Sequence, residues 1–224
     1  MPTFRMDPLR DLNDLKGFDK RWPAKSELEF ALAQDYLLKV NYSIQDFNEL
    51  LEGDSFPTPR DMVLMVVYVD WISDAVYQLA SCYKREAISG FRYSQQEQLE
   101  RAVSYFRAVR SFVVAHPLKT DNHDDFGLGG DLVCADIRRC GRFMNIARPP
   151  FRRLTMEGGL EEADRIPETD AVIIAYSRCK GALYSEHIGL DLKDVRLVAE
   201  LKIDRVYEMG RYLDKLKKKD FPSL

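Results

Sequence analysis

The stretch Phe106-Arg-Ala-Val-Arg-Ser-Phe-Val-Val-Ala-His-Pro117 decides how the first half of the chain is interpreted. Its apolar side chains recur at helical spacing, and Pro117 ends the helix because a proline ring cannot continue the hydrogen-bond ladder. Arg107, Arg110 and His116 lie among these apolar positions. They are costly if buried without partners and useful if they line a cleft. This helix end is therefore either an ion-paired terminus capped by His116 or a functional site.

Similar signals extend outward in both directions. Ser94-Gln-Gln-Glu97 and Ser26-Glu-Leu-Glu29 have the form of capping boxes, and Thr58-Pro59 is a typical helix start. Thr169 can cap a further helix, and a last amphipathic stretch ends in a run of lysines. These signals predict helices over residues 26–51, 59–89, 94–116, 170–188 and 191–219.

The segment from 117 to 168 differs from its surroundings because it is rich in glycine, proline and arginine. Leu132–Ile137 has the composition of a short strand, and we expect it to pair with Phe143–Ile146 across a turn near Gly141. The predicted fold class is therefore mainly α. We expect a single domain over 1–224, in which 26–116 and 169–219 form a helical bundle and 117–168 is an insertion that can hold a short β-hairpin.

Composition narrows the function. The net charge of −3 gives no strong overall attraction for nucleic acid, so any such binding needs a local basic patch. The four cysteines are scattered, and the start of the sequence lacks a basic-then-apolar signal segment, so we expect a reduced, cytoplasmic protein. The longest apolar run, Met62–Val69, is far too short to span a bilayer, and we expect no membrane association. We expect neither a cofactor nor a bound metal.

Arg110-Ser-Phe-Val-Val-Ala-His116 resembles the Arg-x(4–6)-His signature of the HEPN superfamily (higher eukaryotes and prokaryotes nucleotide-binding). Many members of that superfamily are metal-independent ribonucleases of toxin, defence or RNA-processing systems, and others are non-catalytic. The resemblance implies that Arg110 stabilises charge on phosphorus and that His116 is the general acid and base. It also implies a homodimer in which two motifs share one cleft. The chain departs from the family pattern in having Ser111 directly after the arginine.

Residues near the motif are predicted to support it. Asp70 and Asp74 share one face of the 59–89 helix, and we expect them to pair with Arg101, Arg107 or Arg110. Lys119 and Thr120 follow the helix end and can contact a phosphate beside His116. On an ideal helix Arg110 and His116 are about 120° apart, so only the long arginine side chain and a loosened last turn bring their tips together.

A basic cluster lies within the insertion, and its arginines have two interpretations. They are either solvated residues with internal ion pairs or a surface that binds RNA phosphates, with Phe143 and Phe151 available for stacking. The same excess of positive charge could contact an acidic protein partner. The six residues are Arg138, Arg139, Arg142, Arg148, Arg152 and Arg153.

Three functions remain open at this point. The first is a HEPN-like, metal-independent endoribonuclease, and the second is a non-catalytic HEPN-like module that binds a protein partner or inhibitor. The third is a metal-dependent hydrolase that uses the histidines and acids of residues 116–125. The sequence identifies neither the RNA target nor the partner.

Overall fold

The structure, a computed structural model, describes residues 5–15, 22–52, 57–114, 131–139, 151–163 and 169–216, and for residues 131–134, 138 and 139 it describes the backbone only. Four helices come first along the chain: α1 (Glu27–Glu49), α2 (Pro59–Leu79), the short α3 (Arg85–Ile88) and α4 (Gln96–Val113). Five strands follow: β1 (Asp131–Arg139), β2 (Phe151–Thr155), β3 (Gly159–Ala163), β4 (Ala171–Cys179) and β5 (Ala182–Leu190). The long helix α5 (Leu192–Lys215) comes last.

The chain divides into two compact units, which we describe separately. The sheet unit contains Met1–Met6, Asp54–Val67 and Glu100–Val198, and therefore holds all five strands. The helical unit contains Asp7–Gly53, Tyr68–Leu99 and Ala199–Leu224, and therefore holds all of α1 and the larger part of α5.

Helix α1 of the helical unit begins as the capping box predicts. The Ser26 hydroxyl accepts a hydrogen bond from the Glu29 backbone N–H at 3.2 Å. Its buried side chains lie at helical spacing and include Leu37, Val40 and Ile44. Two polar side chains on the same helix hold the segment 7–15. Asn48 exchanges two hydrogen bonds with the Leu9 backbone, and Asn41 accepts one from the Leu12 N–H at 2.9 Å.

The predicted helix over 59–89 is interrupted. Thr58 and Asp61 cap its start reciprocally, because the Thr58 hydroxyl accepts from the Asp61 N–H and the Asp61 carboxylate accepts from the Thr58 N–H. Regular helix ends at Leu79, and a 3₁₀ turn over Ala80–Cys82 leads into extended backbone at Tyr83. Tyr83 forms an isolated bridge with Ala24, and α3 begins after it.

The stretch Pro59–Cys82, which includes α2, is long and apolar enough to span a membrane, but 44% of its apolar 18-residue window is buried within the protein. A core helix passes the same test of length and composition. Met65, Val66, Val69 and Ile72 are all buried, as expected of a helix that packs in a protein core.

The five strands form one mixed sheet in the order β1-β4-β5-β2-β3. β4 and β5 are an antiparallel hairpin whose turn is Lys180-Gly181, and both turn residues have positive φ (49° and 82°). This conformation suits a two-residue hairpin turn. β1 pairs antiparallel with β4, β2 pairs parallel with β5, and β3 pairs antiparallel with β2.

The sheet shows that the prediction of a mainly α bundle is wrong, because the protein has an α/β fold. The helix predicted over 170–188 is replaced by the β4–β5 hairpin. Its side chains alternate, so Ala171, Ile173, Ala175 and Ser177 are buried on one face of the sheet. This period of two excludes a helix there. The β-branched residues at 172–174 favour strand for the same reason.

The expected hairpin in the insertion is only partly right. Residues 132–137 do lie in a strand, β1, but its partner in the structure is β4 rather than Phe143–Ile146. Residues 143–146 lie outside the described part of the chain. The insertion also contains β2 and β3, whose turn over 156–158 ends at Gly159 with φ of 71°. Strand is therefore not confined to a single short hairpin.

The predictions for α4 and α5 agree with the structure in position. α4 begins at Gln96, and the Ser94 hydroxyl donates to the Glu208 carboxylate instead of completing the expected capping box. α4 ends at Val113, three residues before His116. α5 covers most of the predicted 191–219 stretch.

Candidate functional sites

The end of α4 carries the residues of the Arg-x(4–6)-His motif that the structure describes. Arg107 and Arg110 are exposed and are three residues apart, so they share one side of the helix. Ser111 is buried, and its hydroxyl donates to the Ala108 carbonyl at 2.8 Å, which gives it a role within the helix. His116 lies outside the described residues.

Of the four residues expected to support the motif, the structure describes Asp70 and Asp74 but not Lys119 and Thr120. Asp70 is half-buried and Asp74 is exposed on α2. Their pairing with arginines of α4 stays a prediction. Lys119 and Thr120 lie outside the described residues, as does the whole acidic loop over 116–125.

The six arginines of the basic cluster are not equivalent. Arg138 and Arg139 are in β1, where their backbones pair with Val172 and Ala171. Arg142 and Arg148 lie outside the described residues. Arg152 and Arg153 are consecutive residues of β2, so their side chains point to opposite faces of the sheet.

Arg152 forms an ion pair with Glu186 of β5. Its Nε is 3.2 Å from Glu186 Oε2, and the two side chains are only 18% and 13% exposed. The contact is an ion pair rather than an aligned hydrogen bond, because these two atoms do not meet hydrogen-bond geometry. The strand registers place Arg152 and Glu186 on the same face as the fully buried Ile188. The sheet therefore buries a pair of opposite charges on its apolar face.

Arg153 contacts the start of α5. Its Nη2 donates to Asp191 Oδ2, and the Asp191 side chain is buried. Asp191 stands directly before the helix, and its carbonyl accepts a hydrogen bond from the Asp194 N–H at 3.1 Å. The contact with Asp191 raises the pKa of the Arg153 guanidinium, which therefore stays charged. The guanidinium is still 42% exposed, so part of it faces solvent.

Two further carboxyl groups surround the start of α5. Asp170 Oδ2 accepts a hydrogen bond from the Leu192 N–H at 2.9 Å, which satisfies one of the free donors of the first helical turn. Burial raises the pKa of Asp170, and the negative charge of Asp191 adds to the rise. The pKa of Asp194 is raised for the same two reasons. Three carboxyl groups thus lie around the start of α5, and one of them, Asp191, pairs with Arg153.

Tyr105 of α4 belongs to the same cluster, which we call the α5 acidic cluster: Tyr105, Arg153, Asp170, Asp191 and Asp194. Tyr105 is 3% exposed, and its hydroxyl has no hydrogen-bond partner in the described part of the chain. Burial raises the pKa of Tyr105 well above its usual value, and the charges of Asp194 and Asp191 contribute. Its phenol therefore stays neutral and is available as a donor.

Most of the exposed large apolar side chains lie elsewhere, on the helical unit. Leu28, Leu32, Leu38 and Tyr42 of α1 are all at least 38% exposed, and Trp71 of α2 is 43% exposed. A groove of about 320 Å³ lies beside them. It is lined by Asp35, Leu38, Lys39, Tyr42, Ser43, Asp46 and Trp71. We call this surface the α1 groove.

Sequence reasoning missed both the α5 acidic cluster and the α1 groove. A helix over 170–188 would keep Asp170 and Asp191 far apart, whereas the β4–β5 hairpin brings the two ends of this segment together, with Ala171 opposite Leu190. The α1 groove had a signal, since Leu28, Leu32, Asp35, Lys39 and Tyr42 recur every three or four residues. This stripe lies on the exposed side of α1, whereas a second stripe, which contains Leu37 and Ile44, is buried.

A metal centre receives no support from the part of the chain that the structure describes, where no three histidine, cysteine or acidic residues are arranged to hold an ion. Comparison of the chain with protein-family models, with curated proteins and with solved structures found no match. The resemblance to the HEPN superfamily therefore stays a prediction from the motif.

Proposed function

We propose that the protein is a metal-independent endoribonuclease of HEPN type that uses Arg110 and His116. The observation that supports this proposal is the exposure of Arg110 beside Arg107 in the last two turns of α4, six residues before His116. An exposed guanidinium at this position can reach a phosphate. The α/β fold removes the support that a helical bundle would have given, so the proposal rests on the motif and on this exposure.

The proposed mechanism assigns one role to each residue. His116 removes a proton from the attacking 2′-hydroxyl and returns a proton to the leaving 5′-oxygen. Arg110 donates hydrogen bonds to the phosphate oxygens as negative charge develops on them, and Arg107 assists from the same side of α4. The proposal keeps the other expectations from the sequence: a cytoplasmic location, RNA as the substrate and, as the resemblance implies, a homodimer that brings two motifs into one cleft.

Cleavage of a labelled RNA by the full chain in EDTA tests the proposal. We expect His116→Ala to lower the rate by about 10²–10⁴ because proton transfer is lost. Arg110→Ala should lower the rate by about 10²–10³ because charge stabilisation is lost. Arg101→Ala is the matched control, since Arg101 is an exposed arginine of the same helix outside the motif. Turnover that is equal in wild type and His116→Ala would contradict the proposal, and cleavage only with added metal would favour a hydrolase.

The second candidate function is a non-catalytic interaction module, and the α1 groove favours it. Six of the large exposed hydrophobic side chains lie on α1 and α2. Exposed apolar surface of this kind is typical of protein-binding sites. Sedimentation of the full chain would distinguish a dimer from a monomer, and a monomer would weaken the nuclease proposal while leaving this candidate open.

A further inference from the structure

The α1 groove lies along a longer stripe of apolar, aromatic and acidic side chains on one side of α1. Leu28, Leu32, Asp35, Lys39 and Tyr42 follow each other at intervals of three or four residues, so they lie on one side of α1. Asp46 continues the stripe by one more turn. From Leu28 to Asp46 the stripe is about 27 Å long, at 1.5 Å per residue. That is the length of a helix of about 18 residues.

The charge around the groove is negative. α1 carries five acidic residues, at positions 27, 29, 35, 46 and 49, and a single lysine, Lys39. The part of α2 within the helical unit adds Asp70 and Asp74 and has no basic residue. Asp35 and Asp46 line the groove itself, one on each side of Tyr42 along the helix. An occupant therefore meets a carboxylate near either end of the groove.

A cation already occupies one position in the groove. The Lys39 ammonium is 5.2 Å from the centre of the Trp71 ring, within the range of a cation–π contact. The Trp71 ring also packs against Tyr68 in a T-shaped pair, with the ring centres 5.7 Å apart. Trp71 thus already contacts one cation, and the exposed Tyr42 adds a second aromatic ring to the groove.

We propose that the α1 groove binds a basic amphipathic helix of a partner protein, with its apolar side chains on Leu38, Tyr42 and Trp71 and its lysines or arginines at Asp35 and Asp46. The length of the stripe fits a helix laid along it, and its charge is complementary to that of the occupant. This inference rests on the second candidate function, the interaction module, and names the class of partner that the module binds. It does not depend on RNA cleavage.

Three other occupants fit less well. RNA phosphates and anionic lipid headgroups are repelled by Asp35 and Asp46. A second copy bound through a two-fold axis would bring α1 against α1, because both subunits of such a dimer use the same surface. Two acidic helices would then face each other, which is unfavourable.

The test uses two fluorescein-labelled model peptides of about 18 residues, whose length matches the stripe. Both have leucine and tryptophan at helical spacing on one face. One has lysines on the flanking positions, and the other has glutamates at those same positions. Fluorescence anisotropy with the full chain, at low and at high salt, measures the dissociation constant of each. We expect the lysine peptide to bind, the glutamate peptide not to bind, and salt to weaken binding.

Matched variants locate the binding surface. Tyr42→Ala should weaken binding of the lysine peptide by about tenfold or more, because an aromatic contact in the groove is lost. Tyr184→Ala is the control, since Tyr184 is a similarly exposed tyrosine on β5 of the sheet unit, and it should leave the dissociation constant unchanged. The double variant Asp35→Asn/Asp46→Asn should weaken binding and reduce its dependence on salt, while circular dichroism confirms that it is folded.

Two results with the peptides would overturn the proposal: no binding of the lysine peptide, or equal binding of both peptides. Two results with the variants would also overturn it: an equal loss of affinity in Tyr42→Ala and Tyr184→Ala, or an unchanged salt dependence in the double variant. A dimer that dissociates in Tyr42→Ala would instead assign the groove to a second copy. The ribonuclease assay is separate, since neither Tyr42 nor the two aspartates belong to the Arg110–His116 motif.

Discussion

The two units differ in where their ion pairs and their exposed apolar side chains are concentrated. In the sheet unit, Arg152 pairs with Glu186 on the buried face, and Arg153 pairs with the buried Asp191. In the helical unit, the buried Asn41 amide binds the Leu12 backbone, Lys202 is a buried charged side chain, and leucine and aromatic side chains are exposed on α1 and α2. Buried ion pairs are sensitive to loss of one partner, whereas an exposed apolar face has little effect on folding and is available to a partner. We therefore expect variants of the sheet unit to change stability and variants of the α1 groove to change binding.

The largest expected effect is on the buried pair of the sheet unit. Arg152→Met should lower the free energy of unfolding by about 3 kcal/mol, because the Glu186 carboxylate is left buried without its counter-charge. Arg152→Met/Glu186→Leu should recover most of that loss, since an apolar pair of similar size needs no counter-charge. Urea denaturation measures both. Arg178→Met, at an exposed arginine of β4, is the control. An equal loss of unfolding free energy in this variant would show that the Arg152–Glu186 pair contributes no more to stability than an exposed arginine.

A smaller effect is expected from removing hydroxyl groups in the two units. In the helical unit the Tyr207 hydroxyl donates to the Asp11 carbonyl at 2.7 Å, so Tyr207→Phe should cost about 1 kcal/mol. In the sheet unit the Tyr105 hydroxyl is buried without a hydrogen-bond partner in the described part of the chain, so Tyr105→Phe should be neutral or stabilising by up to about 1 kcal/mol. Thermal melting of the two variants compares them directly. Destabilisation of Tyr105→Phe as large as that of Tyr207→Phe would show that the Tyr105 hydroxyl is bonded after all.

The smallest expected effect is a dependence of stability on pH at the start of α5. The pKa of Asp194 is raised in the folded protein, because burial disfavours its ionised form there. At neutral pH Asp194 is ionised in both states, so this cost lowers the free energy of unfolding in full. As the pH falls through the raised pKa, Asp194 takes up a proton in the folded state first, and the penalty disappears. The stability of Asp194→Asn relative to wild type should therefore decrease on acidification, by less than about 1 kcal/mol because the group is partly solvated. Melting temperatures measured between pH 7 and pH 4 test this, and a difference that is constant with pH would contradict it.

The sequence could predict the helices because their signals are local. Ser26 and Glu29, or Thr58 and Asp61, are three residues apart, and each pair marks a helix start without help from the rest of the chain. The β4–β5 hairpin was missed because Thr169 resembles a helix cap and the apolar run after it is short. Short apolar runs suit either a strand or a buried helix. Lys180-Gly181 was the available turn signal, between two stretches of nine residues each.

The candidate sites were harder to predict than the helices, for a related reason. The exposure of Arg107 and Arg110 follows from the apolar stripe of α4, and the sequence contains that stripe. The α5 acidic cluster depends on β2 pairing with β5, which brings Arg153 to Asp191. Pairing between strands that are distant in the chain has no local signal, since each strand shows only which of its faces is apolar.

The strand order has a consequence for how the sheet forms during synthesis. β4 and β5 lie in the middle of the sheet, yet they follow β1, β2 and β3 in the chain. The earlier strands therefore leave the ribosome before the hairpin that separates β1 from β2 exists. The β4–β5 hairpin is local and forms quickly, whereas docking of β1 and β2 against it requires closure of long loops. We expect the sheet to assemble from its centre outward. β1 and the β2–β3 hairpin stay unpaired with the rest of the sheet until β4 and β5 have been translated.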